Sequence, residues 1–166
     1  GGGQEDGKRA GTEAVAQIVA LGKASELAAE RLNDQGQEKL SGLRDALEQS
    51  IMDNIKGTHR NGSSRFRLPN TSHLSFDNVD ARDLLILAND KGLCIASGSA
   101  CSTGTRDPSR IMKAMGHTDE RALSSIRLSV SSMNTEQEIE ESSQIIISCV
   151  EKIRSLRNDG PVIFSS

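Results

Sequence analysis

Apolar residues recur at helical or alternating spacing along most of the chain, and the two patterns predict its main elements. Alternation over Ser72–Phe76 and Ile126–Val130 predicts two strands, and Leu93–Ala96 has the composition of a third, shorter one. Few strands joined by helices, without regular βαβ repeats, predict a small α+β domain. The helical groups are Val15, Ile18 and Val19; Leu40, Leu43, Leu47, Ile51 and Ile55; Leu84, Leu87 and Ala88; and Ile139, Ile146, Val150 and Ile153.

Capping residues predict where these helices begin and end. Thr12 is placed to cap the first helix, and Asp80 to cap the helix that carries Leu84. Thr135 and Glu138 form a capping box ahead of the last helix. The other signals are Asp107 as N-cap with Pro108 as the first residue of a short helix, and Gly92 and Gly116 as helix stops.

Composition excludes several function classes. The 166 residues carry a formal net charge of -3, so no basic field favours nucleic acid as a partner. No apolar run approaches the roughly 18 residues of a membrane helix, which predicts a soluble protein of the cytoplasm or an organelle matrix, without a membrane partner. The three cysteines form no CxxC pair, which argues against a disulfide framework and against a metal site.

Cys101 is the candidate reactive thiol. It lies within SGSACSTGTRD, a loop of small and polar residues from Ser97 to Asp107, whereas Cys94 and Cys149 lie in apolar segments that predict burial. An exposed thiol is the more reactive one. The alternative is an incidental loop cysteine, since no histidine or lysine is marked by the sequence as its base.

Two further residues are candidate anion binders. Arg127, between Ser125 and Ser129 on a strand, could hold a small carboxylate with its fork of donors, although a salt bridge to an Asp or Glu would also explain it. Thr12, after a Gly-rich opening, could bind a phosphate at a helix N-terminus, but a lone Gly-rich loop is weak evidence. The three histidines lack metal-ligand spacing: His59, His73 and His117.

Successive motifs resemble those of one enzyme family. Together they cover nearly the whole chain and resemble, in the same order, the group I cysteine desulfurases of the NifS and IscS kind. The long loop around the cysteine is similar to group I rather than to the second group. The motifs are GGGQEDGKRAGTE at 1–13, LPNTSHLSF at 68–76, SGSACSTGTRDPS at 97–109 and SSIRLSV at 124–130.

The resemblance implies a fold-type I enzyme that uses pyridoxal 5'-phosphate and is a homodimer when full length. Such an enzyme converts L-cysteine to L-alanine and keeps the sulfur as a persulfide, here on Cys101, for an acceptor such as an iron-sulfur scaffold, a tRNA-modifying relay or another thiol protein. By the same resemblance Arg127 holds the substrate carboxylate. Thr12 reaches the cofactor phosphate across the dimer interface.

The sequence also departs from the family pattern. Ser131, Ser132 and Met133 replace a Gly-Arg-Phe-like turn, and His73 stands where Asn is common. The lysine that binds the cofactor belongs to the preceding large domain of the family, and no lysine here lies in such a context. The chain alone is therefore expected to be inactive. The alternatives are a sulfur carrier that works without the cofactor and an interaction domain.

These motifs also predict the domain organisation. Residues 1–33 are expected to be a remnant of the cofactor-binding large domain, consisting of a loop and a helix. Residues 34–166 are expected to form the small C-terminal α+β domain with the cysteine loop. The parent protein is expected to be longer, because the resemblance is already present at Gly1.

Overall fold

The computed structural model describes residues 1–32, 34–98 and 107–158. The chain divides into two compact units, Gly1–Gln37 and Glu38–Ser166. The predicted Cys101 site and the C-terminal residues 159–166 lie outside the described residues. Among the described residues, no helix has the length and apolar character needed to cross a membrane.

Helices and short strands follow one another in an α+β order, as the sequence predicts. A short turn of 3-10 helix, Gln4–Gly7, precedes the first α-helix. The helices are α1 Val15–Arg31, α2 Asp34–Asn54, α3 Ala81–Asp90, α4 Arg110–Ala114, α5 Asp119–Leu123 and α6 Glu136–Asn158. The strands are β1 Thr58–Arg60, β2 Thr71–Phe76, β3 Ala96–Ser97 and β4 Ser125–Ser129.

The strands form one antiparallel sheet in the order β1-β2-β4-β3. Leu74 of β2 lies opposite Ile126 of β4, and both are fully buried in the core. The next pair along the ladder, His73 and Arg127, points to the other face because side chains alternate along a strand. One face of the sheet is therefore apolar and the other polar.

Helices α2, α3 and α6 supply the rest of the core that covers the apolar face. Every apolar residue predicted for the buried side of α6 is buried, and the predicted capping box at its start is present. Thr135 Oγ1 accepts from the Glu138 amide at 3.2 Å, and the Glu138 carboxylate accepts from the Thr135 amide at 2.8 Å. The core includes Leu43, Leu47, Ile51, Ile55, Phe76, Leu84, Ile139, Ile146, Val150 and Ile153.

Two predicted helix starts are wrong. Thr12 does not cap α1, because the Val15 amide bonds to the Glu13 carbonyl and the cap position falls on Ala14. Asp107 does not cap α4, and Pro108 lies before the helix. The hydroxyl of Ser109 takes that role, accepting from the Met112 amide. Proline holds the preceding residue in an extended conformation, and the serine that follows is an equally good cap.

The strand predicted at Leu93–Ala96 is displaced towards the C-terminus, and one strand was not predicted. The Leu93 amide bonds to the carbonyl of Ala88 as part of the cap of α3, so it is not available to a sheet. Pairing with β4 begins only at Ala96. Cys94 lies before the start of this strand and is exposed, although the sequence predicted it to be buried. Cys149 is buried, as predicted. Strand β1 is too short to show alternation.

Candidate functional site

Arg127 stands on the polar face of the sheet, between its cross-strand partners His73 and Ala96. Its neighbours along β4, Ile126 and Leu128, are buried, which fixes the strand and directs the exposed guanidinium away from the core. Within the described part of the chain, Arg127 has no hydrogen bond or ion pair, so the salt bridge considered as its alternative role is not found there. Its donors can bind an external carboxylate.

A hydrogen-bonded network lies beside Arg127 on the same face. Asn61, just after β1, contacts His73 of β2 through its side-chain nitrogen, at 2.9 Å from Nδ1. Its side-chain oxygen accepts from Arg121 Nε at 2.9 Å and from the Ser75 hydroxyl at 3.3 Å. Sequence reasoning missed this network because its members are far apart in the chain, and only the polar positions of the alternating strands pointed to this face.

The environment of His73 favours its neutral form. Burial lowers the pKa of its imidazole, and the positive charges of Arg127 and His117 lower it further. A neutral imidazole next to Arg127 adds no positive charge that would repel the guanidinium.

Cys101 lies outside the described residues, but both flanks of its segment are described. Its N-terminal flank is β3, whose Ala96 pairs with Arg127. Three residues separate Ser97 from Cys101, and the four Cα–Cα steps between them span at most about 14 Å.

Thr12 belongs to the first unit, where it is exposed and does not cap α1. In residues 1–32 no hydrogen bond engages its hydroxyl, and the first turn of α1 has no side-chain cap. The Val15 amide bonds to the Glu13 carbonyl, but a hydroxyl followed by the remaining uncapped amides of the first turn is a donor set that suits a phosphate group. These residues fit the phosphate of pyridoxal phosphate.

A second polar cluster, also missed from the sequence, surrounds Glu48 of α2. The side chain is 2 % exposed, and it accepts from both terminal nitrogens of Arg67, from Arg60 and from the Ser72 hydroxyl. Arg44, one turn earlier on the same buried face, donates to the Leu68 carbonyl at 2.7 Å. The sequence did carry a signal for this cluster, because the charged residues at positions 44 and 48 lie on the side of α2 that the spacing of its apolar residues predicts to be buried.

A cavity of about 660 Å³ lies next to the network but apart from Arg127. It shares His117 and Arg121 with the surroundings of His73, and its other walls include His59, the β2–α3 turn, residues of α5 and Arg157. Neither Arg127 nor His73 lines it. The chemistry-bearing groups meet on the sheet face, so the candidate site is placed there.

Comparison with known proteins identifies the family. The family model described as aminotransferase class-V matches residues 3–141. The chain belongs to this family. It is 42 % identical to "Cysteine desulfurase 2" of Trichormus variabilis over 94 % of the chain and 39 % of that protein. It is 37 % identical to "Cysteine desulfurase IscS" of Methanosarcina thermophila over 94 % of the chain and 38 % of the relative.

Solved structures of NifS-like proteins share the fold. A protein named "NIFS-LIKE PROTEIN" superposes with a TM-score of 0.76 and 30 % identity, covering 92 % of this chain and 38 % of that one. The NifS-like protein from Rickettsia africae gives 0.73 and 32 %, covering 93 % of this chain and 39 % of that one. The chain thus spans less than two fifths of the length of the relatives it matches. The family depends in general on pyridoxal phosphate.

Proposed function

We propose that this chain is the C-terminal part of a cysteine desulfurase, which converts L-cysteine to L-alanine and holds the released sulfur as a persulfide on Cys101. The names of its relatives and the match to the class-V family support this activity. The observation that carries the proposal is Arg127, exposed on the sheet face and without an acidic partner in the described residues, next to the strand that leads to Cys101.

In the proposed reaction, Arg127 binds the carboxylate of L-cysteine and thereby orients its side chain towards the thiol of Cys101. The thiolate of Cys101 forms a bond to the substrate sulfur while the carbon–sulfur bond of the substrate breaks. The electron pair of that bond passes to carbon, which takes up a proton and leaves as alanine. Cys101 is left as the persulfide, ready for transfer to an acceptor thiol.

We propose that Thr12 and the first-turn amides of α1 after Val15, whose own amide bonds to the Glu13 carbonyl, hold the phosphate of pyridoxal 5'-phosphate in a homodimer of the full-length protein. The cofactor, when bound, supplies the electron withdrawal that activates the substrate. The chain contributes phosphate donors, the carboxylate clamp and the sulfur acceptor. The lysine that binds the cofactor would belong to the remainder of the parent protein, so this chain alone should not turn over cysteine.

We propose that residues 1–33 complete the large cofactor-binding domain and that residues 34–166 form the small domain. No residue of α1 is buried, and its apolar side chains Val15, Ile18 and Val19 are more than half exposed. Exposed apolar residues grouped on a helix are typical of a surface that packs against another part of a protein. The rest of the large domain would cover them.

Replacing Arg127 by alanine tests the carboxylate clamp. In the complete enzyme, Arg127→Ala is expected to lower kcat/KM for L-cysteine about 10- to 100-fold, mainly through KM, because a charge-assisted hydrogen bond to the substrate is lost. Arg127→Lys should retain part of the affinity, since it keeps the charge without the fork of donors. Ser129→Ala, on the same strand face, is the control. Unchanged kinetics in Arg127→Ala would remove this residue from the site.

A further inference from the structure

His73 lies directly opposite Arg127 in the β2–β4 ladder, on the polar face of the sheet. Directly opposite residues of neighbouring strands have their Cβ atoms about 5 Å apart. The imidazole is half-buried, and its pKa responds to the charge of Arg127. A carboxylate bound by Arg127 would therefore lie within reach of His73 as well.

Only one orientation of the Asn61 side-chain amide is consistent with the hydrogen bonds around it. A guanidinium is a donor without acceptor capacity, so the side-chain atom of Asn61 that Arg121 Nε contacts at 2.9 Å must be the oxygen. A second nitrogen of Arg121 donates to the Arg60 carbonyl at 3.0 Å, which fixes the guanidinium in place. The amide nitrogen of Asn61 must then point the other way, towards His73.

The orientation of Asn61 determines which nitrogen of His73 carries the proton. The amide nitrogen of Asn61 is a donor, and it lies 2.9 Å from His73 Nδ1, so Nδ1 has to accept. A neutral imidazole with an accepting Nδ1 carries its hydrogen on Nε2. Arg121 therefore fixes the tautomer of His73 through Asn61, leaving an Nε2–H donor on the face that carries Arg127.

We propose that His73 is a second ligand for the substrate carboxylate, donating from Nε2–H to one oxygen while Arg127 binds the carboxylate. The inference rests on the proposed desulfurase function. It assigns Asn61 and Arg121 as positioning residues that hold the imidazole in the donating tautomer. A neutral donor adds a hydrogen bond without placing a second cation against Arg127. The ligand class is an α-amino acid with a free carboxylate.

Replacing His73 by glutamine or by asparagine separates the contributions of its two ring nitrogens. His73→Gln places an N–H donor near the position of Nε2, whereas His73→Asn keeps an acceptor for Asn61 near Nδ1 and loses the distal donor. In the complete enzyme, His73→Asn is expected to raise KM for L-cysteine about tenfold with little change in kcat, and His73→Gln to stay within about threefold of the unmodified enzyme. Equal KM values for His73→Asn and the unmodified enzyme would overturn the proposal.

The tautomer is measured independently of activity by nitrogen-15 NMR of histidine-labelled chain. The expected spectrum has a protonated Nε2 and an unprotonated Nδ1 at His73, and Asn61→Ala should mix the two tautomers. A protonated Nδ1 would overturn the inference even in an active enzyme. An enzyme impaired by Arg127→Ala but indifferent to His73→Asn refutes this inference alone. A complete protein that forms no alanine from cysteine refutes the proposed function, and the inference with it.

Discussion

Replacing Cys101 by serine is expected to abolish formation of alanine and sulfide from L-cysteine in the complete enzyme, with a loss of roughly 1000-fold or more in kcat. A thiol is a few per cent thiolate near neutral pH and is intrinsically very nucleophilic, whereas a serine hydroxyl remains protonated. Serine also cannot form a persulfide. The substitution changes one atom, so the fold and the binding of cofactor should persist. Alanine formation under steady-state conditions measures the effect.

Cys94 provides the matched control for Cys101. It is the exposed cysteine of the described residues, and it lies just before β3, from which the Cys101 segment continues. Cys94→Ser should therefore leave turnover unchanged if reactivity depends on Cys101 rather than on any accessible thiol in this region. Full desulfurase activity in Cys101→Ser, or a loss confined to Cys94→Ser, would contradict the assignment.

Replacing Glu48 by glutamine is expected to lower the free energy of unfolding by about 3 to 5 kcal/mol. The carboxylate is buried and holds Arg60, Arg67 and Ser72, so it joins α2 to β1, to the segment before β2 and to β2 itself. Removing one member of a buried ion pair leaves its partner's charge uncompensated, which costs more than the pair contributed. Urea unfolding followed by circular dichroism measures the change.

Asp53→Asn is the control for Glu48, since it removes a carboxylate from an exposed position of the same helix. Its effect should stay within about 0.5 kcal/mol. A Glu48→Gln variant as stable as the unmodified chain would show that the cluster contributes nothing net to folding.

The same cluster predicts how stability depends on pH. Burial raises the pKa of Glu48, but the hydrogen bonds from Arg67, Ser72 and Arg60 and the charge of Arg67 outweigh it and hold the pKa at about 2, against 4.5 ordinarily. A lowered carboxyl pKa stabilises the fold above pH 4.5, and this contribution is lost as the pH falls towards 2. It amounts to about 3 kcal/mol. Urea titrations at pH 5.5 and pH 3 should show a smaller loss in Glu48→Gln than in the unmodified chain.

Elements with a strong local pattern could be predicted from the sequence. The alternation around Ile126 placed β4 and left Arg127 on the exposed face, and the Thr135–Glu138 box marked the start of α6. In α3, Asp80 caps the first turn and Gly92 adopts a positive φ at the end, both as expected. In each case the signal and the structure involve residues within a few positions of one another, so tertiary packing does not have to be known.

The remaining features depend on contacts between distant segments. Strand β1 exists because Thr58 and Arg60 pair with β2, and a three-residue strand carries no periodic signal. The start of α4 depends on which of two possible cap residues, Asp107 or Ser109, is used, and the sequence alone did not distinguish them. The bond from Arg121 to Asn61 joins residues 60 positions apart, so no local pattern could bring them together or place His73 beside Arg127. The family motifs identified single candidate residues such as Arg127. The pairing of the strands in the sheet then shows which residues lie next to Arg127.

The most direct test of the account follows sulfur from substrate to protein. The complete enzyme is incubated with L-cysteine labelled at sulfur, quenched with an alkylating reagent, digested and examined by mass spectrometry without reductant. Residues 92–106 form one peptide after cleavage at Lys91 and Arg106, so fragmentation of this peptide has to distinguish its two cysteines. One additional, labelled sulfur atom is expected on Cys101, and none on Cys94 or on the peptide of Cys149. Alanine formed at the normal rate while Cys101 gains no sulfur would contradict the assignment.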